Sequence, residues 1–188
     1  MGDDVIKKPP VIAVCGVKNS GKTTLLVHLI KAMTERGYKT AVIKHDGHDF
    51  DCDVPGTDSF RLHRAGAYGT AVFSENRIFV HKELRKGAED QINPEQFVRC
   101  FPEADLIFAE GLKNTALPKI EVIRRAVSKA PASNPKGRFL IVTDWGEEQF
   151  DEPTAPLSSP EKTVEYILKH FPEISQVSDA FWQAEKKA

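Results

Sequence analysis

Residues Gly16-Val17-Lys18-Asn19-Ser20-Gly21-Lys22-Thr23 carry the spacing G-x-x-x-x-G-K-[ST], whose chemistry is the grip of backbone amides on phosphate oxygens. The glycines let the chain wrap closely, so successive N–H groups along Gly16, Lys18, Asn19, Ser20 and Gly21 turn inward toward an anion. Lys22 is the residue that reaches the β- and γ-phosphates, Thr23 offers its hydroxyl to Mg²⁺, and Thr24 closes the candidate set. The positive end of the helix that follows adds to the anion site.

Three further groups could complete such a site. The run Lys44-His45-Asp46-Gly47-His48-Asp49 follows an apolar stretch. Asp46 is a candidate Mg²⁺ ligand, directly or through water. His45 and His48 are candidates for phosphate contact, or for a transition-metal set with Asp49, Cys52 or Asp53, although their spacing matches no standard set. The plain alternative is a solvated loop whose acids repel one another. Glu110 ends the run Asp105-Leu106-Ile107-Phe108-Ala109-Glu110-Gly111. An acid there is the usual second half of a phosphate-loop site, orienting Mg²⁺ or the attacking water; an exposed strand-end carboxylate is the alternative. Asp144 follows the last core run, where guanine-specific relatives of such loops place a base-reading acid. The full Asn-Lys-x-Asp pattern is absent, so a base reader and an ordinary strand-end turn both stay open. Trp145 beside it is a candidate for stacking on a base or for partial burial against the core.

The elements that must position these groups follow from periodicity. Val11–Cys15 is a β-branched apolar run, as in a buried strand. Leu25, Leu26, Leu29, Ile30 and Met33 recur at helical spacing, and Gly37 is a suitable stop. Thr40–Ile43 is the next strand, which makes a parallel crossover unit. From Asp46 to Asp58 periodicity vanishes over a stretch with five aspartates. Thr57 could cap a short helix ending near Ala65. Thr70–Phe73 and Arg77–His81 flank Ser-Glu-Asn as a hairpin. Pro94–Cys100 reads as a short helix, Leu106–Ala109, Ile120–Ile123 and Phe139–Val142 as strands, and Ala126–Gly137 as a surface loop. A late helix after Pro160 includes Val164–Leu168. The expected organisation is a single nucleotide-binding domain over 1–172 and a tail over 173–188. The fold class is α/β: a three-layer P-loop NTPase-type fold, its mostly parallel sheet flanked by helices, plus a β-hairpin.

Composition limits the partners. The 188 residues suffice for one sizeable core. A net charge of −1 argues against a general nucleic-acid binder. No apolar run approaches the ~18 residues of a membrane span, and 1–10 does not read as a signal peptide. Three cysteines without metal-type spacing fit free thiols in a reducing cytoplasm.

Together these elements resemble the molybdopterin-guanine dinucleotide biosynthesis protein B (MobB) family over about Val11–Val142. The phosphate loop with Leu25-Leu26 carries part of the likeness. The most specific block runs from Ile43 through Asp49 to Asp51, Asp53, Pro55-Gly56, Asp58-Ser59 and Arg64-Ala65-Gly66-Ala67. Ala109-Glu110-Gly111-Leu112-Lys113 is the third. The resemblance implies a cytoplasmic homodimer that binds GTP with Mg²⁺, hydrolyses it weakly, and serves as adaptor to the guanylyltransferase that attaches GMP to molybdopterin. Whether molybdopterin itself touches this chain stays open at this point. By position, Lys22 and Thr23 become the phosphate and Mg²⁺ residues, with Asp46, His48, Asp49 and Glu110 as further members. The sequence departs from the family in having Asp46-Gly47 where many relatives carry Thr-His, and after Trp145 it matches little. Two other classes remain open on the same loop: an ATP-dependent small-molecule kinase or ligase, and a metal-delivery GTPase motivated by the histidines and Cys52.

Overall fold

Eight short segments rich in β-branched residues become strands, and the computed structural model describes them within residues 8–47, 49–84 and 94–174. In chain order the elements are β1 (Val11–Cys15), α1 (Lys22–Glu35), β2 (Thr40–Lys44), α2 (Asp58–Arg64), β3 (Gly69–Phe73), β4 (Ile78–Lys82), α3 (Glu95–Val98), β5 (Leu106–Glu110), β6 (Lys119–Ile123), β7 (Arg138–Thr143), β8 (Thr154–Pro156) and α4 (Pro160–His170). The chain falls into two compact units, Met1–His45 with Pro94–Ala188, and Asp46–Asn93.

The first unit holds a six-stranded sheet in the order β2-β5-β1-β6-β7-β8. Every pairing in it is parallel. Parallel strands need crossovers that cover the sheet, so the central strands β1 and β5 are buried along most of their length on both faces. One face carries Ile12, Val14, Leu106, Phe108, Ile120, Val122, Leu140 and Val142 against α1 and α4. α1 contributes Leu25, Leu26, Leu29, Ala32 and Met33, one stripe at helical spacing. It stops at Gly37 (φ 85): Tyr38 N donates to Met33 O and Gly37 N to Thr34 O, the paired bonds of a Schellman turn, with Tyr38 and Met33 both buried. The helix after Pro160 places that proline at its start and buries Thr163, Val164 and Ile167.

The opposite face is covered more sparely. α3, shorter than the 94–100 expectation, sets Val98 against Ile43 and Ile107. The remainder is covered in part by the segment read from sequence as a surface loop. Ser133 in that segment is buried, and Ala132 N donates to Glu121 Oε1 at 2.8 Å. Its small and polar composition hid this, because it covers polar rather than apolar groups. β8 was not read from sequence either; it is three residues long and ends in proline.

In the second unit β3 and β4 form the expected antiparallel hairpin. Thr57 caps α2, accepting from Phe60 N. The residues of the expected tail from 175 onward lie outside the described residues.

Candidate functional site

β1 delivers the chain to Gly16 with no room for a side chain. A Cβ there would meet the Val122 carbonyl oxygen at 2.5 Å and Ser20 Oγ at 2.6 Å, at φ +141, so glycine is what lets the loop leave the strand. Ser20 is fully buried beneath the loop, and its amide donates to Val17 O at 3.3 Å. It is the floor of the loop, while Lys18 and Asn19 are exposed at its rim. The first bond of α1 runs from Leu25 N to Gly21 O. No side chain caps this helix start and no acid lies in its first turn. The amides of Lys22, Thr23 and Thr24 therefore have no intrahelical acceptor, and the positive helix end is left for an external anion. Lys22 Nζ donates to Val17 O at 2.7 Å, which holds the ammonium back across the loop.

Strand alternation brings Glu110 to the same place. Leu106 and Phe108 face α1, so Glu110, two residues on, emerges on that side at the strand end. It lies opposite Val14 of β1 in register. Its backbone is fixed by His45 N donating to Glu110 O at 3.1 Å and Gly111 N to Val14 O at 3.0 Å. Thr23 Oγ1 donates to Glu110 Oε1 at 2.8 Å. Two hard oxygen donors thus adjoin the phosphate loop, a donor set that suits Mg²⁺.

Behind the loop, on the opposite face of the sheet, lies a buried polar cluster the strand readings did not single out. Cys15 Sγ donates to Gly111 O at 2.9 Å. Burial, and then the Glu121 charge, push this thiol up from 9.0 to about 12. Lys119 is fully buried and its Nζ donates to Thr115 O (2.6 Å), Asn134 O (3.2 Å) and Lys136 O (2.6 Å). Three carbonyls match the three N–H groups of an ammonium. Burial, with Arg138 adding to it, draws the Lys119 pKa below the usual lysine value, against the pull of Cys15 and Glu121. The signal in the sequence was the alternation Lys119-Ile120-Glu121, which puts both charges on one face.

The other candidates are distributed differently. Asp144 Oδ1 accepts from Arg125 N at 2.5 Å, so one oxygen of the proposed base reader closes its own turn. Trp145 is partly buried, donates from Nε1 to Ser128 O at 3.1 Å, and has the Arg125 guanidinium 4.8 Å above its ring. Asp46 and Asp49 belong to the second unit, where Asp49 Oδ1 accepts from Phe50 N at 3.1 Å. Asp53 Oδ1 takes bonds from Val54 N, Thr57 Oγ1 and Ser59 Oγ, so it organises the start of α2. His48 lies outside the described residues. No described helix is long and apolar enough to cross a membrane.

A family model described as molybdopterin guanine dinucleotide synthesis protein B matches residues 11–144. A protein of Escherichia coli (strain K12), the molybdopterin-guanine dinucleotide biosynthesis adapter protein, is 36% identical over 135 residues, which is 70% of this chain and 75% of that one. A Haemophilus influenzae protein of the same name is 33% identical over 120 residues, covering 64% and 66%. Among solved structures, Bacillus subtilis MobB superposes with a TM-score of 0.66 at 23% identity, over 85% of this chain and 96% of that one. The MobB homolog from Bacillus stearothermophilus gives 0.61 at 19% over the same shares. At these identities the structural likeness establishes the α/β fold.

Proposed function

This chain belongs to the molybdopterin guanine dinucleotide synthesis protein B family, and on that premise we propose that it is a GTP-binding adapter in molybdopterin-guanine dinucleotide biosynthesis. Its partner is the guanylyltransferase that attaches GMP to molybdopterin, and its working form is a cytoplasmic homodimer. The observation that carries the nucleotide reading is the 2.8 Å bond between Thr23 Oγ1 and Glu110 Oε1 beside an uncapped helix start.

Each residue has a distinct task. The loop amides and the start of α1 bind the phosphates. Lys22 supplies fixed positive charge to the terminal phosphates. Thr23 and Glu110 would hold Mg²⁺, and the bound ion would neutralise charge on the β- and γ-oxygens. Glu110 also orients a water molecule for slow hydrolysis. Guanine preference rests on family membership rather than on Asp144, whose Oδ1 is engaged by Arg125 N.

The test is single-turnover hydrolysis with and without the guanylyltransferase, paired with GTP–ATP competition. The expected result is GTP preference and turnover below about 1 s⁻¹ alone, the lower edge of kinase rates. Many turnovers per second by the isolated protein, or a strong preference for ATP, would overturn the adapter reading.

A further inference from the structure

Wholly within the second unit, three side chains converge. His63 is in the last turn of α2. His81 is on β4, and Glu83 follows two residues on, so strand alternation puts both on one side of the hairpin. Glu83 is anchored there by its amide, which donates to Tyr68 O at 3.0 Å. His63 Nε2 lies 3.1 Å and His81 Nε2 3.5 Å from the same carboxylate oxygen, Glu83 Oε1. The imidazole centroids are 4.1 Å apart. One ligand atom from each of the three residues falls within 4.8 Å of the others.

We propose that His63, His81 and Glu83 bind one divalent transition-metal ion of the zinc class, with a further coordination position open to water. The spacing is the first argument. Zinc takes nitrogen and oxygen ligands at about 2.0–2.1 Å in a tetrahedron, so neighbouring ligand atoms sit about 3.3 Å apart. The two histidine–glutamate edges, 3.1 and 3.5 Å, bracket that separation, and all three ligand atoms lie within 4.8 Å of one another. The second is donor chemistry. Two imidazoles and one carboxylate suit zinc and its neighbours, whereas Mg²⁺ prefers oxygen alone. The third is the surroundings. Nδ1 of His63 and of His81 is buried with no protein partner among the described residues, as is the hydroxyl of Thr70. Thr70 is the cross-strand neighbour of His81 in register. A hydroxyl on that face is the kind of group that orients a ligating imidazole through its second nitrogen. The side chains of His63 and His81 are 14% and 24% exposed and that of Glu83 is 55% exposed, so the site is sheltered yet reachable from solvent.

The experiment uses the full chain, stripped of metal, without nucleotide. Dialysis against ZnCl₂ followed by elemental analysis should give one zinc per chain. His63→Ala with His81→Ala should abolish it, Glu83→Gln should weaken it at least tenfold, and His28→Ala, an exposed histidine of α1, should leave it unchanged. X-ray absorption on the wild-type zinc form should show two imidazoles in the first shell, a readout that does not depend on any variant folding. Absence of stoichiometric zinc in the wild type, retention of zinc by a folded double variant, loss on Cys52→Ser instead, or a first shell without two imidazoles would each overturn the proposal. Failure of GTP binding would not touch it, because no arm of the experiment contains nucleotide.

Discussion

Lys22 and Glu110 differ in what their loss should do. Lys22→Ala removes one charge-assisted contact, about 1.5–3 kcal/mol, so triphosphate affinity should fall roughly ten- to a hundredfold or more by calorimetry. Glu110→Gln keeps the acceptor for Thr23 but removes the charge; nucleotide should still bind, while its Mg²⁺ dependence and hydrolysis fall. An unchanged triphosphate affinity in Lys22→Ala would contradict the site. The thiols give a separate check. Cys52 and Cys100 are exposed and Cys15 is buried, with its pKa pushed up to about 12. Alkylation of the native protein at pH 8 should modify two thiols, and the third only in denaturant. Because the folded state keeps the Cys15 proton that the unfolded chain releases near 9.0, this contribution to stability is complete below that pH and is lost as pH climbs toward 12. Urea unfolding should show a smaller alkaline decline in Cys15→Ala than in wild type. At this scale the sequence was legible where chemistry is local, as in the Lys22-Thr23 pair and the strand-end Glu110. It was silent on Cys15, Glu121 and the His63–His81–Glu83 convergence, because those depend on which strands become neighbours.

Elements whose ends carry their own chemistry were the easiest to read. Gly37 after the α1 stripe and Thr57 before α2 each specify a boundary through backbone hydrogen bonds within a few residues. Thr57 Oγ1 also meets Val54 O at 2.8 Å, so it ties the preceding loop to the helix. Thr57→Ala should lower the stability of α2 by about 1 kcal/mol, seen as faster amide exchange over residues 58–64 with little change in β1 and β5. Equal loss of protection in both units would refute that local assignment. Elements that owe their form to tertiary partners were harder. β8 has only three residues and exists through its pairing with β7. The 126–137 segment lacks apolar periodicity because its contact with the sheet is through Lys119 and Glu121.

For the whole molecule, the α/β class and parallel sheet were legible because strand–helix alternation admits few arrangements. The strand order was not, since β1 lies between β5 and β6 and only long-range pairing sets it. The second unit is one uninterrupted segment, Asp46–Asn93, set between β2 and β5. β1, the phosphate loop, α1 and Glu110 all belong to the first unit. Replacing residues 50–93 by a short Gly-Ser linker should therefore leave a cooperatively unfolding protein that still binds triphosphate, measured by calorimetry and thermal melting. A chain that no longer folds would show that the units are thermodynamically inseparable. The same topology has an evolutionary consequence. A contiguous insert with two junctions is a cassette: it can gain, lose or exchange residues without shifting the register of any strand that frames the phosphate loop. Selection on partner choice and selection on nucleotide handling can then proceed at different rates in one gene, and length variation among relatives should concentrate between the positions equivalent to 46 and 93.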